Sequence, residues 1–371
     1  MDRGFRPQEA GAMTSLGGAE FAPLTKTYLN TASTGLLPLR TAKALKAAAD
    51  DGAYGRVGPD GNFAALAAAR AGFARLAGVP VDRVAAGNSV ATHAGLIARA
   101  LPSGAEVLIA DDDFSSLVNP FAVRTDLKLR SAPLEKLAEA VGPQTALVAV
   151  SAVQSADGRV ADLAALRAAA DAQPDAGRER GGPRIVVDAT QAMGWLTPDP
   201  RHYDYLLCGS YKWLMCPHGV SLLVVPGDLG PDELVAYHSG WVAGEEPWNS
   251  CYGPIAQLAH SARRFDERPA FLAYLAAEHS FALVEELGTE RIGAYDLALA
   301  DRCRAGAREL GLTPVEARSP IVALPGQGAA AERLKAAGVE ASVRAGNLRA
   351  AFHLYNTEAD VDRLLAVLAG S

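Results

Sequence analysis

Apolar residues follow two alternating patterns between residues 40 and 226. Alanine- and leucine-rich stretches with helical spacing, such as TAKALKAAADDGA and NFAALAAARAGFARLAG, alternate with short runs rich in Val, Leu and Ile. Several of these runs, among them AEVLIADDD, TALVAVSAV, RIVVDAT and GVSLLVV, are apolar at consecutive positions. Continuous apolar strands joined by helices are typical of a mainly parallel sheet buried on both faces. The pattern therefore predicts a large α/β unit over residues 40–268.

The pattern changes after residue 268. A long amphipathic segment, AFLAYLAAEHSFALVEELG, is followed by a second helix that ends near CRAGARELGL. Strand-like runs then appear as SPIVALPG, VEASVRAG and NLRAAFHLY, and TEADVDRLLAVLAG predicts a closing helix capped by Asn356 or Thr357. These elements predict a smaller α+β unit over residues 269–371. The polar DAQPDAGRERGGPR stretch at 171–184 is expected to be a surface loop.

Composition excludes several classes of function. The 371 residues are 49% hydrophobic and 21% charged, and the net charge of -7 comes without a basic cluster, which argues against nucleic acid as a partner. Apolar runs are interrupted before they could span a membrane, and the first residues lack the apolar centre of a secretory signal. The four cysteines show neither CxxC pairing nor metal-ligand spacing. We expect a cytoplasmic protein with reduced thiols, no metal and no membrane partner.

Two charged residues lie at the ends of consecutive core strands. Asp188 ends RIVVD, and Lys212 follows YLLCGS. Ligands of parallel sheets bind outside the carboxyl ends of the strands, and burying a charge there is costly unless something pairs with it. A desolvated lysine forms a Schiff base with a carbonyl, and a carboxylate keeps a pyridine nitrogen protonated. The pair indicates pyridoxal phosphate chemistry; the alternative is a surface lysine and an aspartate that caps a turn.

The surrounding stretches resemble a known family. VVDATQAMGW, DYLLCGSYKWLMCPHG, TYLNTASTGLLP, DDDFSSLVNPF and LRAAFHLYNTEADVDRLL are similar, in order and spacing, to the motifs of class V aminotransferases. That family of pyridoxal phosphate enzymes includes cysteine desulfurases, isopenicillin-epimerase-like proteins and kynureninases. The resemblance implies the aspartate aminotransferase-like fold (fold type I), an amino acid substrate and a homodimer with shared active sites. It also implies that residues 1–39 form an N-terminal segment on the small unit and the active site.

The resemblance assigns cofactor contacts residue by residue. Lys212 would hold the cofactor covalently and move the substrate α-proton, and Asp188 would bind the pyridine nitrogen. Gln191 would lie near the phenolic oxygen, and Phe114 would stack on the ring, unless it is a core residue. Gln154 and Ser155 lie where the family places a polar residue against the ring's 3-oxygen, although a loop side chain of no special role is an open alternative.

The phosphate is expected at the start of a helix. GNSVATHAGLIARAL predicts a strand, a turn and a helix, and a helix N-terminus offers free N–H groups to an anion. The resemblance places Ser89, Val90 and Ala91 there, helped by Ser210 and Tyr211. Ala91 departs from the family, which usually has a threonine at this position, so backbone groups are expected to dominate.

Substrate contacts are assigned to three residues. Arg349 matches the arginine that receives the α-carboxylate through a bidentate pair, and a surface arginine is the alternative. Asn30, in TYLNTAS, is assigned to the substrate as well. Trp241 and Trp248, in HSGWVAGEEPW, could form a wall against a bulky substrate or a structural hairpin of buried tryptophans. Arg268-Pro269 replaces the Gly-Thr that the family usually has, in the loop that reaches the neighbouring subunit's phosphate in that family.

The absence of a nucleophilic cysteine before Arg349 reduces the number of reactions that the chain could catalyse. Desulfurases need a cysteine on a loop before the carboxylate arginine, but VRAGNLRAAFHLYN has none, and Cys208 and Cys303 are expected to be core thiols. A lyase that breaks a C–S or C–C bond is favoured. An aminotransferase or epimerase acting on a small amino acid is the alternative, and a non-catalytic relative is more remote. A hydrolase centred on Ser89 is disfavoured because GNSVA lacks the second glycine of the nucleophile turn.

Overall fold

The computed structural model describes residues 15–56, 58–173, 182–230 and 233–370. Most of the loop predicted at 171–184, and the first 14 residues of the N-terminal segment, lie outside these ranges. The α-helices are α1 (Leu39–Ala53), α2 (Pro59–Ala77), α3 (Val90–Ala100), α4 (Ser115–Ala122), α5 (Leu137–Ala140), α6 (Leu163–Asp171), α7 (Phe271–Leu287), α8 (Thr289–Glu309), α9 (Ala331–Ala336) and α10 (Glu358–Ala369). The strands are β1 (Thr27–Tyr28), β2 (Val84–Gly87), β3 (Glu106–Ala110), β4 (Lys128–Ala132), β5 (Thr145–Ser151), β6 (Arg184–Asp188), β7 (Tyr205–Gly209), β8 (Ser221–Val224), β9 (Ile321–Leu324), β10 (Val339–Glu340), β11 (Ser342–Arg344) and β12 (Asn347–Ala351).

The large sheet has seven strands in the order β2-β8-β7-β6-β5-β3-β4. Only β8 runs antiparallel to its neighbours; the other pairs within this sheet are parallel. Every residue of β6, β7 and β8 is buried, and separate apolar clusters cover the two faces of the sheet. These observations confirm the mainly parallel α/β architecture that the continuous apolar runs predicted.

The small sheet is antiparallel, in the order β11-β12-β9, and it packs with α8 and α10. The closing helix α10 begins after Thr357, whose side chain forms a reciprocal capping box with Asp360. Thr357 is therefore the cap, and Asn356 is not. Strand β1 pairs with β10, so the described part of the N-terminal segment joins the small unit. The exact domain boundaries stay a prediction.

The parallel strands β2, β5, β6 and β7 end at one edge of the large sheet. Helix α3 begins immediately after β2, where Ser89 caps it by accepting the backbone N–H of Thr92 at 3.2 Å. Strands β6 and β7 end next to each other, so the residues after them converge. Within the described ranges, no helix is both long and apolar enough to cross a membrane.

Candidate active site

A cleft of about 240 Å³ opens at this edge of the sheet. Eight of the residues predicted from the sequence line it: Ser89, Val90, Phe114, Ser155, Asp188, Gln191, Tyr211 and Lys212. The other lining residues are Asn88, Ser116, Ser151, Thr190, Gly209, His218, Gly219 and Val220. The fold therefore brings together groups that lie more than 120 positions apart in the sequence.

Lys212 is almost completely buried, with 4% of its surface exposed. Its amine forms no hydrogen bond or ion pair with any described residue, and it lies 5.2 Å from the ring centroid of Phe114. Burial lowers the pKa of Lys212 to about 8, although the charge of Asp188 opposes this shift. The uncharged amine, which a nucleophile or a base requires, is thus far more populated near neutral pH than in an ordinary lysine, although the charged form still predominates at pH 7.

Asp188 ends β6 and is also buried. One carboxylate oxygen accepts the backbone N–H of Thr190 at 2.8 Å, and the Thr190 hydroxyl in turn accepts the N–H of Gly209 at 2.9 Å. Burial raises the pKa of Asp188, and the hydrogen bonds from Thr190 and the charge of Lys212 oppose that rise. No cationic side chain of the described residues lies within ion-pair distance of this carboxyl. It is suited to a cationic ligand group such as a protonated ring nitrogen.

Gln191 is fixed by hydrogen bonds at both ends of its amide. Its nitrogen donates to the carbonyl of Ala32 at 2.9 Å and to Ser155 Oγ at 3.0 Å. Its oxygen accepts the indole N–H of Trp213 at 2.8 Å. Gln191 therefore ties the loop that carries Lys212 to the N-terminal segment, as well as lining the cleft.

The first turn of α3 forms one end of the cleft. The N–H groups of Val90 and Ala91 have no acceptor inside the helix, as at any helix N-terminus. Ser89 and Val90 line the cleft, whereas the side chain of Ala91 is exposed and does not. This placement agrees with a phosphate held mainly by backbone groups.

The Lys212 loop closes the same end. Tyr211 lines the cleft and stacks on His218, with ring centroids 4.2 Å apart and an interplanar angle of 26°. Ser210 is fully buried, and its hydroxyl has no hydrogen-bond partner among the described residues. An unsatisfied buried hydroxyl two residues before Lys212 is consistent with an anionic ligand group at this site.

The loop that carries Arg268, which the family resemblance places against a neighbouring subunit, is anchored at the cleft residue Asn88. The side-chain amide of Asn88 donates to Glu267 Oε2 at 3.1 Å and to the carbonyl of Arg268 at 3.2 Å. Its oxygen accepts the N–H of Ala270 at 3.1 Å. The Arg268 side chain is exposed. Asn88 therefore joins the phosphate end of the cleft to the start of the small unit.

Asp113 organises the loop that presents Phe114. Its carboxylate accepts the N–H of Phe114 at 2.6 Å, the N–H of Ser151 at 2.8 Å and the amide of Gln154 at 3.2 Å. Gln154 is thus buried against Asp113 and does not line the cleft, where Ser155 appears in its place. The core alternative for Phe114 is wrong, because 42% of its surface is exposed and its ring faces the cleft.

Arg349 lies behind Ser155 and not on the surface, so the surface alternative is wrong. Only 1% of its surface is exposed, and its guanidinium donates to oxygens of Ser33, Ser155 and Ser342. Burial lowers the pKa of Arg349 to about 10. It adjoins the cleft through Ser155 and can present a fixed cation to a carboxylate.

None of the three predicted substrate residues lines the cleft of this chain; Arg349 lies directly behind it, and the other two lie elsewhere. Asn30 forms a backbone bridge with Ala351, and its side-chain oxygen is buried without a partner. Trp241 packs against Trp248 at 5.0 Å, and both rings contact Phe63 at 5.7 Å. The alternative of a buried tryptophan hairpin is also wrong, since 55% of Trp248 is exposed.

Sequence reasoning missed several lining residues. Thr190 lies two positions after Asp188, inside the motif already identified, and His218 lies inside the Pro-x-Gly that follows Lys212. Both residues could have been proposed from the sequence, because they lie inside motifs that were already assigned to the cofactor. Ser116 and Ser151 gave no comparable signal, because a serine near a strand or helix end is common.

The fold and the cleft define a pyridoxal phosphate site on a fold type I scaffold. The donor set suits each part of that cofactor: an unpaired amine for the aldehyde, a buried acid for the ring nitrogen, and a helix N-terminus capped by Ser89 for the phosphate. The sequence model of the aminotransferase class-V family matches residues 64–364. The chain belongs to this family, and it is an enzyme that uses pyridoxal phosphate.

Solved structures of similar fold are consistent with this assignment. A cystine C–S lyase, C-DES, in complex with its reaction product cysteine persulfide has a TM-score of 0.82 at 22% identity, with 93% of this chain and 97% of that chain covered. The cysteine desulfurase CsdA from Escherichia coli gives 0.80 at 18%, covering 94% and 96%. A cysteine desulfurase from Thermococcus onnurineus NA1 gives 0.78 at 19%, covering 93% and 94%. At these identities the likeness shows the shared fold. No curated protein matches the chain significantly.

Proposed function

We propose that this enzyme is an amino acid lyase that breaks the Cβ–S bond of a cysteine derivative. The observation that carries the proposal is a cleft with a free lysine amine and no thiol. None of the four cysteines of the chain lines the cleft, and Cys208, Cys216 and Cys303 are buried with their pKa raised by burial. Chemistry that needs an enzyme thiol as sulfur acceptor lacks its nucleophile.

The residues of the cleft supply the steps of an elimination. Pyridoxal phosphate, when bound, withdraws electrons from the substrate α-carbon and so makes its proton acidic. Arg349 holds the α-carboxylate, and Lys212 Nζ takes the α-proton, because burial raises the share of uncharged amine near neutral pH above that of an ordinary lysine. The Cβ–S bond then breaks and the sulfur leaves with the electron pair. After addition of water, the products are a thiol, pyruvate and ammonia.

The fold likeness to a cystine C–S lyase supports this choice. C–C cleavage, transamination and epimerisation begin with the same proton transfer at Lys212, so their products distinguish them. C–C cleavage of kynurenine gives an aromatic amine product. Transamination leaves the cofactor in its amine form, and epimerisation changes only the configuration of the substrate.

A product assay on the holoenzyme tests the proposal. We expect cysteine thioethers and disulfides to release pyruvate and a thiol or persulfide in equal amounts, and alanine and kynurenine to give no turnover. Lys212→Ala should lower the rate by at least about a hundredfold, because positioned general-base catalysis contributes that much. Lys46→Ala, at an exposed position on α1, is the control and should keep full activity. Full turnover in Lys212→Ala, or amino transfer without thiol release, would contradict the proposal.

A further inference from the structure

Two arginines meet on one serine hydroxyl close to the reactive amine. Arg349 donates to Ser33 Oγ at 2.7 Å, and Arg344 donates to the same oxygen at 3.2 Å. The positive charges of both arginines add to the effect of burial in lowering the pKa of Lys212, so both lie within electrostatic reach of its amine. One α-carboxylate needs one guanidinium fork, and the site offers a second cation.

Neither arginine has an acidic partner among the described residues. The donors of Arg349 bond to serine hydroxyls and one backbone carbonyl, and Arg344 otherwise bonds to the carbonyl of its own neighbour. The buried Arg70, in contrast, forms an ion pair with Asp266 at 2.6 Å. Two neighbouring cations without a counter-charge repel each other, and burial of one of them increases the cost. A ligand with two negative groups would supply the missing charges.

The hairpin β11–β12 sets the direction of both side chains. Arg344 pairs with Asn347 and Ser342 pairs with Arg349 across the two strands. Because residues two apart on a strand share a face, Arg344 and Arg349 are diagonal neighbours on one face of the hairpin. The turn between the strands has positive φ at both central residues, 48° at Ala345 and 78° at the glycine after it. This is the tight two-residue turn that fixes strand register, so the spacing of the two arginines is built into the backbone.

The two arginines differ in solvent exposure. Arg349 is buried behind Ser155, which lines the cleft, whereas Arg344 is exposed at the tip of the hairpin. We propose that Arg344 binds a second acidic group at the far end of the substrate, so that the preferred substrate is a cysteine derivative with a carboxylate on its sulfur substituent. The inner carboxylate binds Arg349, and the outer one binds Arg344. The cysteine part of this inference rests on the proposed function; the second acidic group rests on the arginine pair.

A pair of nearly isosteric ligands tests the charge preference. S-Carboxymethyl-cysteine and S-carbamoylmethyl-cysteine differ in one terminal group, a carboxylate in the first and a neutral amide in the second. We expect the holoenzyme to bind the acid about tenfold more tightly than the amide, because a hydrogen bond to a charged group contributes that much. Arg344→Gln should remove this preference by weakening the acid alone. Arg291→Gln, at an exposed position on α8, is the matched control and should keep the preference.

Binding is measured by titrating the change in the cofactor's absorption spectrum, and turnover is measured separately by pyruvate release. The two measurements distinguish the two proposals. If the enzyme binds the acid more tightly than the amide but releases no pyruvate, the proposed lyase activity is wrong and the proposed role of Arg344 still holds. Equal binding of acid and amide by the unmodified enzyme would overturn the inference. Equal weakening of both ligands by Arg344→Gln would overturn it as well, because that result would place Arg344 on the α-carboxylate.

Discussion

Lys212 and Asp188 are both buried, yet no group of opposite charge lies within ion-pair distance of either one in the described part of the chain. Burial shifts the pKa of each residue toward its neutral form, downward for the lysine and upward for the aspartate. Such shifts are costly to maintain and are common where a ligand completes the pairing. The cofactor supplies a partner for each residue at once.

The pKa of Lys212 predicts how fast the cofactor-free enzyme takes up pyridoxal phosphate. Only the uncharged amine attacks the aldehyde, so the rate should rise with pH and reach half its maximum at about 8. An ordinary lysine would give a midpoint near its usual 10.5. Rapid mixing with absorbance detection between about pH 6 and 11 covers both the expected midpoint and the ordinary lysine value. A midpoint above pH 10 would show that Lys212 is not desolvated.

At the scale of elements, a buried pair connects α8, the end of β12 and the Lys212 loop. His353 Nδ1 lies 2.7 Å from Asp296 Oδ2, and His353 Nε2 lies 3.1 Å from the carbonyl oxygen of Trp213. Because a carbonyl can only accept, Nε2 carries a proton. All of these side chains are fully buried. The small unit thus holds the backbone next to Lys212 in place.

Asp296→Ala should lower the free energy of unfolding by about 3 kcal/mol, because removal of one partner leaves the other buried polar group without its hydrogen bond. Glu316→Ala is the control: it breaks the exposed pair with Arg308, whose side chains are 80% and 48% exposed, and should cost at most about 1 kcal/mol. Urea denaturation of the holoenzyme measures both variants. Equal effects would mean that the buried pair contributes no more to stability than a surface pair does.

At the scale of the whole molecule, bound pyridoxal phosphate is expected to stabilise the folded protein. A ligand that binds only the folded state stabilises it, so removal of pyridoxal phosphate should lower the thermal midpoint.

The chain is also expected to form a homodimer with shared active sites, as the family resemblance implies; this stays a prediction, and sedimentation analysis would test it. Trp248 and Tyr252 are exposed on the single chain, which agrees with an additional covering surface.

Asp188→Asn should stabilise the cofactor-free protein and weaken cofactor binding in the holoenzyme. The cofactor-free protein should gain about 2 to 4 °C in thermal midpoint, because an unpaired buried carboxyl is replaced by a neutral amide. The holoenzyme should lose cofactor affinity, because the ring nitrogen loses its anionic partner. Calorimetry of both forms measures the gap between them, with the exposed Asp82→Asn as control. If the gap is the same as in the unmodified enzyme, Asp188 does not pair with the cofactor.

The sign of the pH effect at Asp188 follows from its raised pKa. In the cofactor-free protein, this group contributes stability below the ordinary pKa of an aspartate, and the contribution is lost as pH rises through the raised value. The stabilising effect of Asp188→Asn should therefore be larger at neutral pH than at acidic pH. A pH-independent difference would indicate that the carboxyl is not desolvated.

The sequence by itself determined the architecture and the acid and amine of the cleft. Apolar runs mark the sheet because a strand buried on both faces has no polar positions. Asp188 and Lys212 could be found because charges at the ends of such strands stand out, and the start of α3 because a strand-turn-helix pattern is local. Each of these signals is carried by neighbouring residues, so no knowledge of long-range contacts was needed.

Only the tertiary structure decided which side chains reach the cleft. Ser155 lines it and Gln154 does not, because the direction of a loop side chain depends on its partner, in this case Asp113. The meeting of Arg344 and Arg349 on Ser33 joins residues more than 300 positions apart. Such contacts are set by how the N-terminal segment packs on the small unit. Periodicity and spacing record the local conformation of the chain, and they do not record which distant segments come together.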